Sequence, residues 1–311
     1  MRGNGGTVTP RQVTDYPPLT FRSEQTVIGV LPSPLVRRSL EGCDWKSGRG
    51  KAAGPASHQG TKMPDVSSPA KCGVLYVATG TSFTKAAVAS AKSVRQHSPG
   101  VEVDIFTDEP SAVDPAQFDH VHVIPDPHRR SKVDYLDKTR FDRTLYLDTD
   151  TRVLVDVRPV FEILDRFDVA AAHGHLRNRG KDITVWREKI PPSFPQVNSG
   201  VFLYKRSEAV WKFLENWRVA FHSAGFSKDQ VTLRELLWLS DLRVLILPPE
   251  YNVRYRKYLD VWGAEEASAK ILHYKRFHDE VGAVDSGGRW RGARSLYKRL
   301  RSSVTSKRIS E

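Results

Sequence analysis

The chain has 311 residues, 39% of them hydrophobic, and two cysteines, Cys43 and Cys72, which excludes a wholly disordered protein, a disulfide scaffold and a paired-cysteine metal site. A formal net charge of +12 invites a nucleic-acid partner, but residues 1–71 hold 10 basic and 5 acidic side chains, residues 289–311 hold 8 and 1, and the middle holds 30 and 30. A neutral middle argues against a domain built around a phosphate backbone, so a small partner and no nucleic acid are expected.

The longest apolar runs, such as Val244 to Leu247, fall far short of the roughly 18 residues a membrane-spanning helix needs. No apolar segment of secretory-signal length follows Arg2 and Arg11, and a cytoplasmic, reducing location is the expectation. Residues 1–71, rich in Gly, Pro, Ser and Thr, read as a disordered leader, with Met63 as an alternative start. The ordered pattern opens with Cys72 to Ala78, an apolar run suited to a buried strand, followed by a turn at Thr79-Gly80-Thr81. Phe83, Ala87, Ala91 and Val94 then recur at helical spacing as far as Pro99-Gly100.

Val101 to Phe106 alternates as a second strand and Val121 to Ile124 as a third. A helix from Ser131 to Arg140 leads into a buried strand at Thr144 to Leu147. Farther on, Val169 to Ala172, Gly200 to Tyr204, Leu242 to Leu247 and Lys270 to Tyr274 read as strands. Ser207 suits an N-cap before a helix with Val210, Leu214, Trp217 and Phe221 on one face, and Asp229 to Leu239 reads as another helix. The fold class is α/β, a Rossmann-like central sheet, mostly parallel but mixed, over residues 72–288. Residues 289–311 form a basic tail with Trp290, Leu296, Tyr297 and Leu300 interspersed, read either as a solvated end or as a peripheral contact with an anionic membrane.

Four stretches carry chemistry. Asp148-Thr149-Asp150 follows an apolar strand directly. Residues two apart in a strand share a face, so both carboxylates can converge on one hard divalent cation, the plain alternative being two turn caps. In Gln196 to Tyr204, Gly200 lets the backbone come close to a ligand. Lys228-Asp229-Gln230 opens a helix, with Asp229 as an ordinary N-cap on the bland reading. His273 ends a strand and precedes Lys275 and Arg276, in a position to face a metal diphosphate unless it is a satisfied structural histidine.

In their order and wording these segments resemble the nucleotide-sugar-dependent glycosyltransferases of the GT-A fold, in particular the glycogenin and family 8 group, over about residues 72–280. The resemblance implies transfer of a sugar from a nucleoside-diphosphate sugar, with a UDP-sugar favoured, to an unknown acceptor with retention of configuration. By it, Val77, Ala78, Thr79, Gly80 and Thr81 hold the nucleoside, while Lys132, Asp148, Thr149 and Lys275 lie along the ribose and diphosphate. Asp148, Asp150 and His273 are the implied metal ligands, with His278 the alternative imidazole. Two carboxylates and an imidazole favour Mn²⁺ over Mg²⁺. Asn198, Asp229 and Gln230 would surround the donor sugar and acceptor hydroxyl. Residues Gly174 to Gln196 are the candidate acceptor loop. The rivals are a nucleotidyltransferase, disfavoured because Thr79 to Ser82 is poor in Gly and basic residues, and a non-catalytic scaffold attached through its basic ends.

Overall fold

A computed structural model describes residues 70–176, 184–263 and 265–278. The expected leader up to residue 69, the alternative start at Met63, part of the candidate acceptor loop and the basic tail lie outside the described residues. Among the described residues, no helix is long and apolar enough to cross a membrane.

Seven strands make one mixed sheet in the order β3-β2-β1-β4-β7-β6-β8. They are β1 (Cys72–Ala78), β2 (Glu102–Thr107), β3 (His120–Val123), β4 (Arg143–Leu147), β6 (Val169–His173), β7 (Val197–Lys205) and β8 (Val244–Leu247). All neighbours run parallel except those of β7, which is antiparallel to β4 and β6. The apolar runs are buried on both faces, as parallel central strands require: Val74, Tyr76 and Ala78 of β1 join one core, while Leu75 and Val77 join the other. The Rossmann-like mixed sheet expected from the sequence is present.

Helix α1 (Thr81–His97) buries Ala87, Ala91 and Val94, but Phe83 from the same stripe stays 45% exposed. It lies in the first helical turn and packs its ring on His278, with centroids 4.5 Å apart. In α3 (Glu208–Ala224), the Ser207 hydroxyl accepts from the Val210 amide at 3.3 Å, and all four predicted face residues are buried. The helix stops at Gly225, whose φ of 69° is the left-handed conformation that favours glycine.

The helix expected over Ser131 to Arg140 is shorter. An α-helical turn, α2 (Lys132–Tyr135), gives way to a 3₁₀ turn at Leu136–Lys138. There the Leu136 carbonyl accepts from the buried Tyr204 hydroxyl at 2.6 Å instead of continuing the helical ladder. Helix α4 spans Gln230–Leu239. The sequence reading missed β5 (Thr151–Val153), which leaves the main sheet to pair antiparallel with β9 (Ile271–His273).

Candidate functional site

The Asp148-Thr149-Asp150 segment is a turn between β4 and β5, and not the strand that would have put both carboxylates on one face by alternation. Backbone bonds pin it instead. The Asp148 amide donates to the Gly200 carbonyl at 2.8 Å, the Thr151 hydroxyl to the Asp148 carbonyl at 2.8 Å, and the Tyr274 amide to the Asp150 carbonyl at 3.0 Å. The register of β5 with β9 sets Thr151 opposite His273 and so carries the imidazole over the turn.

His273 Nε2 lies 2.9 Å from Asp150 Oδ1 and 3.6 Å from Asp148 Oδ2, and one ligand atom from each of the three lies within 4.8 Å of the other two. The second imidazole nitrogen, Nδ1, is 2.8 Å from Oδ1 of the fully buried Asn252. An amide oxygen only accepts, so Nδ1 carries a proton and Nε2 is the nitrogen turned toward the carboxylates. His278, the alternative imidazole, lies 2.8 Å from the Thr149 hydroxyl. Gly200 makes room for the protein's own groups: a Cβ there would fall 2.2 Å from His273 Cε1 and 2.5 Å from Asp148 Oδ2.

Behind Asp148 stands a buried polar network that the sequence reading did not anticipate. Lys132 Nζ donates to Asp148 Oδ1 at 3.0 Å and to the Ser199 hydroxyl at 2.9 Å, and lies 3.6 Å from Asp229 Oδ2. Ser199 donates to Asp229 at 2.5 Å, Arg130 approaches Asp229 at 3.4 Å, and the Tyr146 hydroxyl donates to Asp148 at 2.7 Å. Asp229 caps nothing with its side chain; its carboxylate, 1% exposed, is committed to Ser199, Lys132 and Arg130. Burial by itself would raise the Asp148 carboxyl and lower the Lys132 ammonium. The Lys132 and His273 charges hold Asp148 well below the usual carboxylate range, and Asp148 and Asp229 hold Lys132 above its ordinary value. Burial likewise works against the Asp150 charge, and His273, by charge and hydrogen bond, brings its carboxyl down.

These groups open onto a cavity of about 470 Å³. Of the sequence-predicted residues, Thr79, Lys132, Asp148, Thr149, Asp150, Asn198, Gln230, His273 and Lys275 line it, as does Val77. Ala78, Gly80, Thr81 and Asp229 do not. Ala78 packs in the core, the Gly80 amide is spent on the Asp108 carboxylate at 2.7 Å, and Thr81 is exposed at the start of α1. The sequence reading missed Phe83, Arg130, Tyr146, Arg234 and Arg254 in the lining. Arg129, Arg130, Lys132, Lys228, Arg234, Arg254 and Lys275 bring cationic groups to a cavity whose lining carboxylates are Asp148 and Asp150. Such an excess suits a ligand carrying several negative charges around a cation.

No family model matches the sequence, and no curated protein does. Among solved structures, the chain is similar to the galactosyltransferase LgtC in complex with donor and acceptor sugar analogues, at 15% identity over 68% of this chain and 95% of that one, with a TM-score of 0.48. It is also similar to mouse xyloside xylosyltransferase 1, at 15% identity over 65% of this chain and 96% of that one, with a TM-score of 0.44. For the glycosyltransferase GlyE of Streptococcus pneumoniae TIGR4 the figures are 18%, 65% and 55%, with a TM-score of 0.45. Likeness at this level carries no functional argument, which rests on the site's own residues.

Proposed function

We propose that the cavity binds a nucleoside-diphosphate sugar, with a UDP-sugar favoured, and that the protein transfers the sugar to an acceptor hydroxyl with the help of a divalent cation. The observation that carries this reading is the convergence of Asp148, Asp150 and His273 in a cavity otherwise rich in cationic side chains. The donor set fits such an ion: two carboxylates held in the charged form and an imidazole whose far nitrogen is anchored by Asn252. The imidazole favours Mn²⁺, with Mg²⁺ as the alternative. When bound, the ion would neutralise charge that gathers on the diphosphate as the glycosidic bond breaks.

The chain's own residues supply the rest. Lys132 stays an ammonium beside the ion site because two carboxylates face it, and Arg130, Lys228 and Lys275 extend positive charge along the wall, stabilising the leaving diphosphate. Asn198 and Gln230 offer amide groups to sugar hydroxyls. Asp229 acts from behind the wall, orienting Lys132 and Arg130.

Among the described residues, Asp148 and Asp150 are the only carboxylates lining the cavity, and both belong to the ion site. In the proposed transfer the acceptor proton passes to the diphosphate oxygen that leaves. The bond from the anomeric carbon to that oxygen breaks, a bond to the acceptor oxygen forms on the same face, and configuration is retained.

Calorimetric titration of UDP, GDP and their common sugar conjugates, with and without Mn²⁺, tests the reading on wild type and Asp150→Ala. The expected result is cation-dependent binding of UDP species that the substitution abolishes. A folded wild-type protein that binds no nucleoside diphosphate under either condition would overturn it.

A further inference from the structure

A second group of ligating side chains lies outside the lining of the cavity. His128 precedes α2, Asp134 belongs to α2, and His222 sits in the last turn of α3; one ligand atom from each lies within 4.8 Å of the other two. The two imidazoles divide the carboxylate between them. His222 Nε2 lies 2.6 Å from Asp134 Oδ1, His128 Nε2 bonds to Asp134 Oδ2, and the ring centroids are 5.4 Å apart. We propose that His128, Asp134 and His222 form a binding site for one divalent transition-metal ion of the Zn²⁺ class.

Two imidazole nitrogens and one carboxylate oxygen are a borderline donor set that suits Zn²⁺ and leaves alkaline-earth ions at a disadvantage. Three protein ligands leave a fourth tetrahedral position for water, and the His222 side chain is 49% exposed, giving the ion a path from solvent. Ligands about 2.0–2.1 Å from a tetrahedral ion stand about 3.3 Å apart, so the 2.6 Å contact of His222 with Asp134 widens by about 0.7 Å on filling.

The site is joined to the cavity. The Arg130 amide donates to His128 Nδ1 at 3.2 Å, which places the His128 ring proton on Nε2 in the metal-free protein. Ligation through Nε2 moves that proton to Nδ1 and ends the Arg130 bond. Filled and empty states thus differ at the Arg130 amide, and Arg130 is also a lining residue of the cavity whose guanidinium approaches Asp229 at 3.4 Å. Any coupling of such an ion to the cavity rests on the function proposed above.

Co²⁺ titration of the full chain, without nucleotide and on an Asp150→Ala, His273→Ala background that dismantles the cavity site, tests the proposal by visible absorption. The expected result is one ion per chain with the d–d bands of a four-coordinate centre, displaced by Zn²⁺. Adding His222→Gln, which keeps an amide donor for Asp134 but presents no imidazole, is expected to weaken binding about 100-fold or more. His128→Gln is a second ligand variant with the same expectation, and thermal melting confirms that each variant folds. Absence of the bands from the folded background protein, or affinity in both glutamine variants equal to that of the background, overturns the second site. Neither outcome touches the nucleotide titration, and Asp150→Ala alone replaces the double substitution where the latter does not fold.

Discussion

Thr151 and His273 are register partners across the short β5–β9 ribbon, and this pairing brings the imidazole to the carboxylate turn. Asp150 and His273 stand 123 positions apart in the sequence (273 minus 150). They meet because a three-residue strand follows the turn directly and has one place to pair.

Asn252 holds the far side of that imidazole, so its acceptor oxygen sets the tautomer. Asn252→Leu is expected to weaken Mn²⁺ binding about 10–100-fold, measured by electron paramagnetic resonance. Asn252→Asp, which keeps an acceptor and gives up an amide nitrogen that has no hydrogen-bond partner, is expected to retain most of the affinity. Equal binding by wild type and Asn252→Leu would sink the assignment.

Gly200→Ala drives a methyl group into His273 and Asp148, both of which must shift. The expected outcome is a loss of stability of about 1–3 kcal/mol together with loss of Mn²⁺ binding. Unchanged cation affinity would mean that the ligands have more freedom than these distances allow.

Lys132 is nearly buried between Asp148 and Asp229. Lys132→Met leaves Asp229 in the interior with one cation fewer, and removing one member of such a set costs about 3–5 kcal/mol. Denaturant unfolding measures it; a change below about 1 kcal/mol (about a fivefold step in the folding constant) would show that Arg130 and Ser199 suffice for Asp229.

Acid stability follows from the same carboxylates. Asp148 and Asp150 titrate below their ordinary value, and Asp168 does so because Arg243 and Lys205 bond to it. A carboxyl whose folded pKa lies below its unfolded value of about 4 contributes stability above that pH and loses it as pH falls through the folded value. Unfolding free energy is therefore expected to hold from pH 7 to about 5, to fall from about pH 4 downward, and to fall less steeply in Asp168→Asn. A profile flat to pH 3 would contradict the assignment.

The main sheet was legible because its strands are short apolar runs bounded by turns, and α3 because Ser207 and a single apolar face mark it. The site was legible in its residue types and less so in how they meet. Periodicity describes neighbours in sequence, whereas Asn252 reaches His273, and Ser199 reaches Asp229, only through tertiary pairing. Asp229 carries the composition of an N-cap, and nothing local distinguishes a carboxylate that caps a helix from one that anchors a lysine. Phe83 fits the helical stripe by spacing, and only its place in the first turn sends it to the cavity. Gly200 was singled out for closeness to a ligand, and the groups that come close are the protein's own.

The ribbon that carries His273 to the two carboxylates also fixes when the three can meet. A ribosome releases all seven strands of the main sheet before β9, the last strand described, so the core can assemble while the histidine is still to come. A nascent or prematurely terminated chain of that length would hold Asp148 and Asp150 without His273.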